Sequence, residues 1–175
     1  PSTLLSTVSA MGAQNIGAGR EERARQTLRY AIGLAVVYGL TAALIMQGAA
    51  EAAVGLFTDA STAEGMQVVR LGGQYMRGYV WDCVFAGIHF CCSGYFCAIG
   101  RSGFSFLHNI LAIVLVRIPG AYLASVLFPT TLLPMGFATA AGSLASVLIC
   151  LAVLLALRRK DEKQNGEKNT ALFDR

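Results

Sequence analysis

Charged side chains are scarce in this chain, and the few that occur are unevenly placed. Lys, Arg, Asp and Glu make up 14% of the 175 residues, whereas residues of the hydrophobic classes make up 55%. A soluble domain carries about a quarter charged residues. A soluble fold would also have to bury several long stretches that contain almost no charge. The composition therefore excludes a soluble globular domain and favours a protein embedded in a lipid bilayer.

The residue patterns of metal sites, enzymes and nucleic-acid-binding faces are also missing. Ser, His and Asp lack the spacing of a nucleophilic triad, so we predict no enzyme. The formal net charge of +4 comes from short basic runs between apolar segments, and we therefore expect no nucleic-acid partner. The cysteines lack the CxxC pairs of a zinc site, so we expect no metal and interpret them as small apolar side chains. They are Cys83, Cys91, Cys92, Cys97 and Cys150.

What the sequence does contain is a series of apolar segments of membrane-spanning length. Crossing about 30 Å of hydrocarbon at 1.5 Å per residue takes about 20 residues. The segments that meet this length are 30–49, 78–99, 106–128 and 135–157. Residues 1–13 are interpreted as the end of a helix that begins upstream, because Pro1 is neither an initiator Met nor the start of a signal peptide. Lipid-embedded backbone must satisfy its own hydrogen bonds, so we predict an all-α, polytopic transmembrane helix bundle with four complete spans and part of a fifth.

The positions of Lys and Arg predict the orientation of these spans. Basic residues occur in the connection 20–29, at Arg101 and in the segment 158–175, which are alternate connections and are therefore assigned to the cytosol. The links 47–66 and 129–134 contain no Lys or Arg and are assigned to the outside. Because residues 158–175 mix both signs of charge, we predict a disordered cytosolic tail that is drawn to membrane lipids.

One face of the predicted span 78–99 is polar. Steps of three or four residues connect Tyr75, Tyr79, Asp82, Ala86, His89 and Ser93. Lipid would penalise a carboxylate on this face by several kcal/mol, so the stripe should face the bundle or a water-filled cavity. Asp82 either binds a proton or cation, or caps the first helical turn and faces water. His89 either relays protons or forms a hydrogen bond to a neighbouring helix.

A second charged residue lies near the centre of the span 106–128. Arg117 is about 16 Å from either end, and its side chain cannot reach the interface. We predict that it points into protein or water, either beside a transport cavity or as a lock between two helices. Pro119 removes a backbone donor and, with Gly120, predicts a kink. An Asp82–Arg117 ion pair is not assumed, because the depths estimated from the sequence differ by about 10 Å.

Several runs of residues resemble a known family. The run Met11-Gly-Ala-Gln-Asn-Ile-Gly-Ala-Gly-Arg-Glu-Glu-Arg-Ala-Arg25 is similar to the AQN-x-GAG-x-x-x-RA signature of multidrug and toxic compound extrusion (MATE) exporters, which lies in the cytosolic link between helices eight and nine. The matching positions include Gln14, Asn15, Gly17, Gly19 and Arg23. Further similarities, in the family's order, are found at Leu56–Asp59, at Tyr95–Gly103 and at Arg117-Ile118-Pro119.

The resemblance implies helices eight (part) to twelve of a twelve-helix transporter, within its second six-helix lobe. It also implies a missing N-terminal lobe as partner and a multi-pass location in a cell membrane, such as the bacterial plasma membrane. Such a protein exports multiple drugs and organic cations, which are small amphipathic or cationic compounds, by antiport with Na⁺ or H⁺ and without another cofactor. Alternatives are a lipid-linked oligosaccharide or lipid flippase of the same superfamily, whose cavity would need several cationic side chains, and a structural membrane protein without transport activity.

Overall fold

The protein is a bundle of helices joined by short turns. The computed structural model describes the backbone of residues 2–173 and the side chains of residues 2–160 and 163. A π-helical turn, Ile113–Arg117, joins the fifth and sixth helices. The α-helices are α1 Ser2–Gly17, α2 Glu21–Gly55, α3 Ala63–Tyr79, α4 Asp82–Ala98, α5 Ser102–Ala112, α6 Ile118–Leu127 and α7 Leu133–Phe173. The predicted all-α bundle is confirmed.

Three helical stretches among the described residues are long and apolar enough to cross a membrane. They are Glu21–Gly55, Ser102–Leu127 and Leu133–Lys160. α3 and α4 meet at a bend of 41° and form a fourth span if they are counted together. The chain is therefore a multi-pass membrane protein, with a span count close to the number expected.

The helix boundaries differ from the expected ones in three places. The sequence predicts a single helix over 78–99, whereas the structure bends the chain at Val80 and Trp81 and places α3 ahead of the bend. α1 extends to Gly17 rather than to residue 13. The backbone of α7 remains helical to Phe173, and so covers most of the segment 158–175 for which the sequence predicts disorder.

α4 is the central helix of the bundle, because it packs against α1, α2, α5 and α7. Small residues allow its close approach to α2. A methyl group added at Gly39 would come within 2.8 Å of the Cα atom of Val84, and one added at Gly87 would come within 2.9 Å of the Ala35 side chain. Without bulky side chains at the crossing, the two backbones pack directly on each other, as is common in membrane helices. α4 thereby carries its polar face into the interior.

The turns after α1 and α4 have the same local structure. Gly19 and Gly100 both have φ of 71°, a left-handed conformation that glycine adopts without strain. The N–H of the next residue then donates to a carbonyl five residues back, from Arg20 to Asn15 and from Arg101 to Phe96, each at 2.8 Å. These bonds form Schellman caps, which end the helix and turn the chain back. The run Gln14–Gly19 is thus the end of α1 and the tight turn that follows it.

At the other end of the bundle, a reciprocal set of bonds ties α2 to α3. Arg77 forms an ion pair with Glu51 at 3.1 Å and donates to the Gln47 carbonyl at 3.2 Å, while the Gln47 amide donates to the Arg77 carbonyl at 3.1 Å. In the turn between these helices, the N–H of Ser61 donates to Asp59 and holds the pKa of that carboxyl below its usual value. Arg77 thus joins α3 to α2 through an ion pair and hydrogen bonds.

Candidate functional site

Asp82 is the centre of a buried polar cluster. It is the first residue of α4, directly after the 41° bend, and only 6% of its surface is exposed. The Arg117 guanidinium donates to Asp82 Oδ1 at 3.2 Å, and the Ser143 hydroxyl donates to the same oxygen. Three elements, α4, the π-helical turn and α7, are therefore joined at one carboxylate oxygen.

The depth of Asp82 explains why sequence analysis did not predict its ion pair with Arg117. Asp82 contacts Ser143, which is 143 − 133 = 10 residues into α7, or about 15 Å below Leu133 at 1.5 Å per residue. Arg117 lies at the same level, because its Cβ would be 3.1 Å from a methyl group on Gly142. Counting residues along one straight span ignores the bend before Asp82 and the different heights at which neighbouring helices begin.

Local backbone structure positions Arg117. The five residues that end at Arg117 form a π-helical turn, in which the N–H of Ile118 bonds to the carbonyl of Ile113. Pro119 follows in the first turn of α6, where it has no N–H to donate to the preceding turn. The extra residue of a π turn rotates the following helix face by about 100° relative to a regular helix. This irregularity lies just before Pro119 and Gly120, the residues at which the sequence predicts a kink.

A cavity of about 310 Å³ lies beside the ion pair. Four of the residues predicted from the sequence, Tyr79, Asp82, His89 and Arg117, line it together. The other lining residues are Ala86, Phe90, Asn109, Ala112, Ile113, Gly142, Ser143 and Ser146. The polar face of α4 thus looks into a polar space within the bundle, as its spacing predicts.

Two buried histidines lie below the ion pair. His89 and His108 are 5.6 Å apart between ring centroids and meet edge to face. Ser93 is the hydrogen-bond partner of His108 Nε2 at 2.8 Å and lies outside the lining of the cavity. The Nδ1 atoms of both histidines are buried without a hydrogen-bond partner among the described groups. Ser93 is therefore a support for His108, and His89 is the histidine that faces the cavity.

Several site residues were missed by sequence analysis. His108, Asn109, Ser143 and Ser146 are polar residues within the predicted spans 106–128 and 135–157, and all four lie at or next to the cavity. Ser143 and Ser146 are three residues apart on α7, which places them on one helix face. This spacing is the feature of the sequence that could have identified them as site residues. Which of several apolar helices turns a serine towards Asp82 depends on how the helices pack.

The loop residues of the family signature lie away from this cavity. Gln14, Asn15 and Gly17 lie in the last turn of α1, Gly19 lies in the connection that follows, and Arg23 lies in the first turn of α2. The Asn15 amide donates to the Met11 carbonyl at 2.8 Å. These residues shape the connection between two helices and do not contact the cluster around Asp82.

The cluster has the chemistry of a cation site. Arg117 and Ser143 occupy Oδ1 of Asp82, and no group that the structure describes donates to Oδ2. That oxygen is available to a proton or to a hard cation such as Na⁺, which prefers oxygen ligands. Across the described residues, no three side chains of His, Cys, Asp or Glu are grouped to hold a metal ion.

Comparison with known proteins gives one match. The model of the MatE family matches residues 1–123, which include α1 to α5, the π-helical turn and half of α6. No curated protein and no solved structure matches the chain. The match covers the signature run at the α1–α2 turn, the polar face of α4 and the R-x-P element at Arg117. The chain therefore belongs to the MatE family and is a multi-pass membrane transporter.

Proposed function

We infer that this protein is a secondary active exporter of small amphipathic or cationic compounds, and that Asp82 binds its coupling ion, Na⁺ or H⁺. The observation that carries the proposal is the buried Asp82 carboxylate, which lies beside a polar cavity with one oxygen held by Arg117 and Ser143 and the other open. Membership of the MatE family supports the export reaction. Burial of a carboxylate at this depth is otherwise unfavourable and indicates a functional role.

Arg117 acts in this proposal as the counter-ion that Asp82 uses when no cation is bound. A buried carboxylate must be neutralised, and the guanidinium at 3.2 Å does so in the structure. When Na⁺ binds Asp82, or when a proton converts the carboxylate to a neutral acid, the attraction that holds Arg117 is lost. The guanidinium keeps its charge and turns to the cavity, so cation binding changes the contact between α4 and the π-helical turn.

The π-helical turn is the element that this exchange would move. Turns of this kind are held less tightly than a regular helix and are frequent at functional sites. Arg117 is the last residue of the turn, so release of its side chain alters the junction between α5 and α6. Coupling of ion binding to a change in helix packing is what alternating access requires.

A flippase is less well supported. A cavity that holds a lipid diphosphate needs several cationic side chains. Arg117 is the one Lys or Arg among the described residues around the 310 Å³ cavity, and Asp82 already neutralises it. The export proposal is therefore preferred.

The first prediction concerns the Asp82 carboxylate. In cells that lack their main efflux pumps and express the full-length gene, the efflux of a fluorescent cationic dye is measured after loading. Asp82→Asn keeps the size of the side chain and an oxygen for Ser143 but removes the charge. We expect the efflux rate to fall to near the background of cells without the transporter, because an amide neither takes up a proton nor supplies a negative charge to Na⁺. Normal efflux in this variant contradicts the proposal.

Two controls separate function from folding. Glu51→Gln removes the carboxylate of a different arginine pair, 3.1 Å from Arg77 and outside the cavity, and should leave efflux unchanged. Asp82→Arg combined with Arg117→Asp restores an ion pair but moves the carboxylate to the other helix. We expect this double variant to recover the normal protein level without efflux. Recovery of both the protein level and the efflux would show that the Asp82–Arg117 pair only joins helices.

A further inference from the structure

A second cavity, of about 690 Å³, lies at the end of the bundle that holds the turns with Gly19 and Gly100. Its walls come from α1, α2, α4 and α7, and it shares no lining residue with the cavity beside Asp82. Its volume is that of a site for a whole small molecule. Nothing in the proposed export reaction uses it.

The walls of this cavity change from apolar to basic in one direction. On α2, Ile32 lies deepest and Arg25 lies seven residues nearer the helix end, about 10 Å away. On α7, Leu151 and Leu154 precede Arg158, and after α4 the chain runs to Arg101 in the turn. The walls from α2, α4 and α7 thus have apolar side chains towards the middle of the bundle and an arginine at the same end. The cavity is amphipathic along its depth.

Among the residues whose side chains the structure describes, positive charge is in excess at the basic end. This part of the lining holds four arginines, Arg25, Arg29, Arg101 and Arg158, and one carboxylate, Glu21. Glu21 is 3.9 Å from Arg25, while the other three arginines are exposed at the rim. A guanidinium offers a planar pair of donors that matches the oxygens of a phosphate. The rim therefore has the charge and the geometry to bind a phosphate group.

We propose that this cavity binds one anionic phospholipid from the cytosolic leaflet, with its phosphate among Arg29, Arg101 and Arg158 and an acyl chain against the apolar walls. A free phosphate would leave the apolar walls facing water, whereas a lipid covers both the apolar walls and the arginine rim. Leu151 and Leu155 on the wall of the cavity are 44% and 55% exposed, so its apolar part reaches the outer surface of α7. Basic pockets between membrane helices at the cytosolic face are a known mode of anionic lipid binding. The proposal does not depend on Asp82 or on export.

The test measures lipid retention by the purified full-length protein. Native mass spectrometry in detergent counts bound lipid after addition of phosphatidylglycerol or of phosphatidylcholine with the same acyl chains. We expect phosphatidylglycerol to be retained in preference. Arg29→Gln, Arg101→Gln and Arg158→Gln should each lower its apparent affinity about fivefold, which is the contribution of one basic side chain near a charged lipid surface. Leu151→Trp, which fills the apolar part but keeps every arginine, should also lower it.

The matched controls are Arg20→Gln and Arg23→Gln. These residues lie at the same end of the bundle but do not line the cavity, so their removal should not change lipid retention. Equal retention of the two lipids, or equal losses in the control and rim variants, overturns the proposal. It is also overturned if glycerol phosphate or inorganic phosphate displaces the bound lipid at similar concentration, because the site would then be one for a soluble anion.

Discussion

At the scale of single residues, the ion pair between Asp82 and Arg117 explains how both charges can lie within membrane-spanning segments. Alone, Asp82 would be a buried carboxylate without a partner, and Arg117 would be an unpaired charge within a membrane span, which is unfavourable. Together they form a pair at 3.2 Å that Ser143 completes from a third element. The sequence identifies both residues as functional candidates, because both are charged residues within apolar segments. It does not predict that they are in contact, because the contact depends on the bend before α4 and on the relative heights of three helices.

Because Gly142 has no side chain, Arg117 can occupy the space beside it. A methyl group at Gly142 would be 3.1 Å from the Arg117 Cβ and 3.6 Å from its Nε. We predict that Gly142→Ala pushes the arginine away from Asp82, which lowers dye efflux and destabilises the protein by about 1–3 kcal/mol through overpacking. The efflux assay and a thermal unfolding scan of the purified protein measure the two effects.

Gly33→Ala is the control for Gly142→Ala. Gly33 also lies in a helix, α2, but a methyl group there would meet no atom within 4 Å. Alanine favours a helix by about 1 kcal/mol over glycine, so this variant should be as stable as the parent or more stable. If the two alanine variants unfold at the same temperature and export equally, the crowding of Arg117 has no consequence.

At the scale of the element, the irregular span that contains Arg117 shows how a local sequence signal and the packed structure differ. Pro119 and Gly120 indicate that a regular helix is interrupted, and they do so from the sequence alone. The form of the interruption is a π-helical turn over Ile113–Arg117, ahead of the proline. A proline specifies that a bond is missing, whereas the surrounding helices decide how the backbone adapts.

A substitution at Pro119 tests the role of this π-helical turn. Pro119→Ala supplies an N–H at the first turn of α6 and allows a regular helix to form across the junction. We expect loss of the π turn, displacement of Arg117 and reduced dye efflux, without loss of thermal stability, because Pro119 lies inside the continuous helical stretch Ser102–Leu127, where proline is unfavourable by about 3 kcal/mol. Pro134→Ala is the control, since Pro134 lies in the first turn of α7, where proline is tolerated. Equal efflux in the two variants would argue against a role for the π turn.

At the scale of the whole molecule, the two cavities lie at different levels of one bundle. The cavity beside Asp82 is lined by α3, α4, α5, the π-helical turn and α7, whereas the arginine-rimmed cavity lies at the end with the Gly19 and Gly100 turns. α4 and α7 contribute lining residues to both cavities. These two helices thus connect the proposed ion site to the proposed lipid site.

The orientation of the bundle gives the last prediction. The pattern of Lys and Arg assigns the α4–α5 turn to the cytosol and the α2–α3 turn to the outside. Ala60→Cys in the outer turn should react with a membrane-impermeant maleimide in intact cells. Ser102→Cys should react only after permeabilisation, and the parent protein gives the background from its own cysteines. Labelling of both new cysteines in intact cells would contradict the predicted topology.

The sequence by itself determined the class of this protein. Its apolar segments, its scarce charges and the run from Met11 to Arg25 predict a membrane helix bundle of the family that the comparison confirms. These properties are local, because segment length and residue order are sufficient to detect them. The tertiary structure alone decided that Asp82 meets Arg117 and Ser143, and that four arginines from distant parts of the chain surround one cavity. Such contacts depend on helix bends, heights and rotations, which are set by packing between helices and not by the sequence of any one of them.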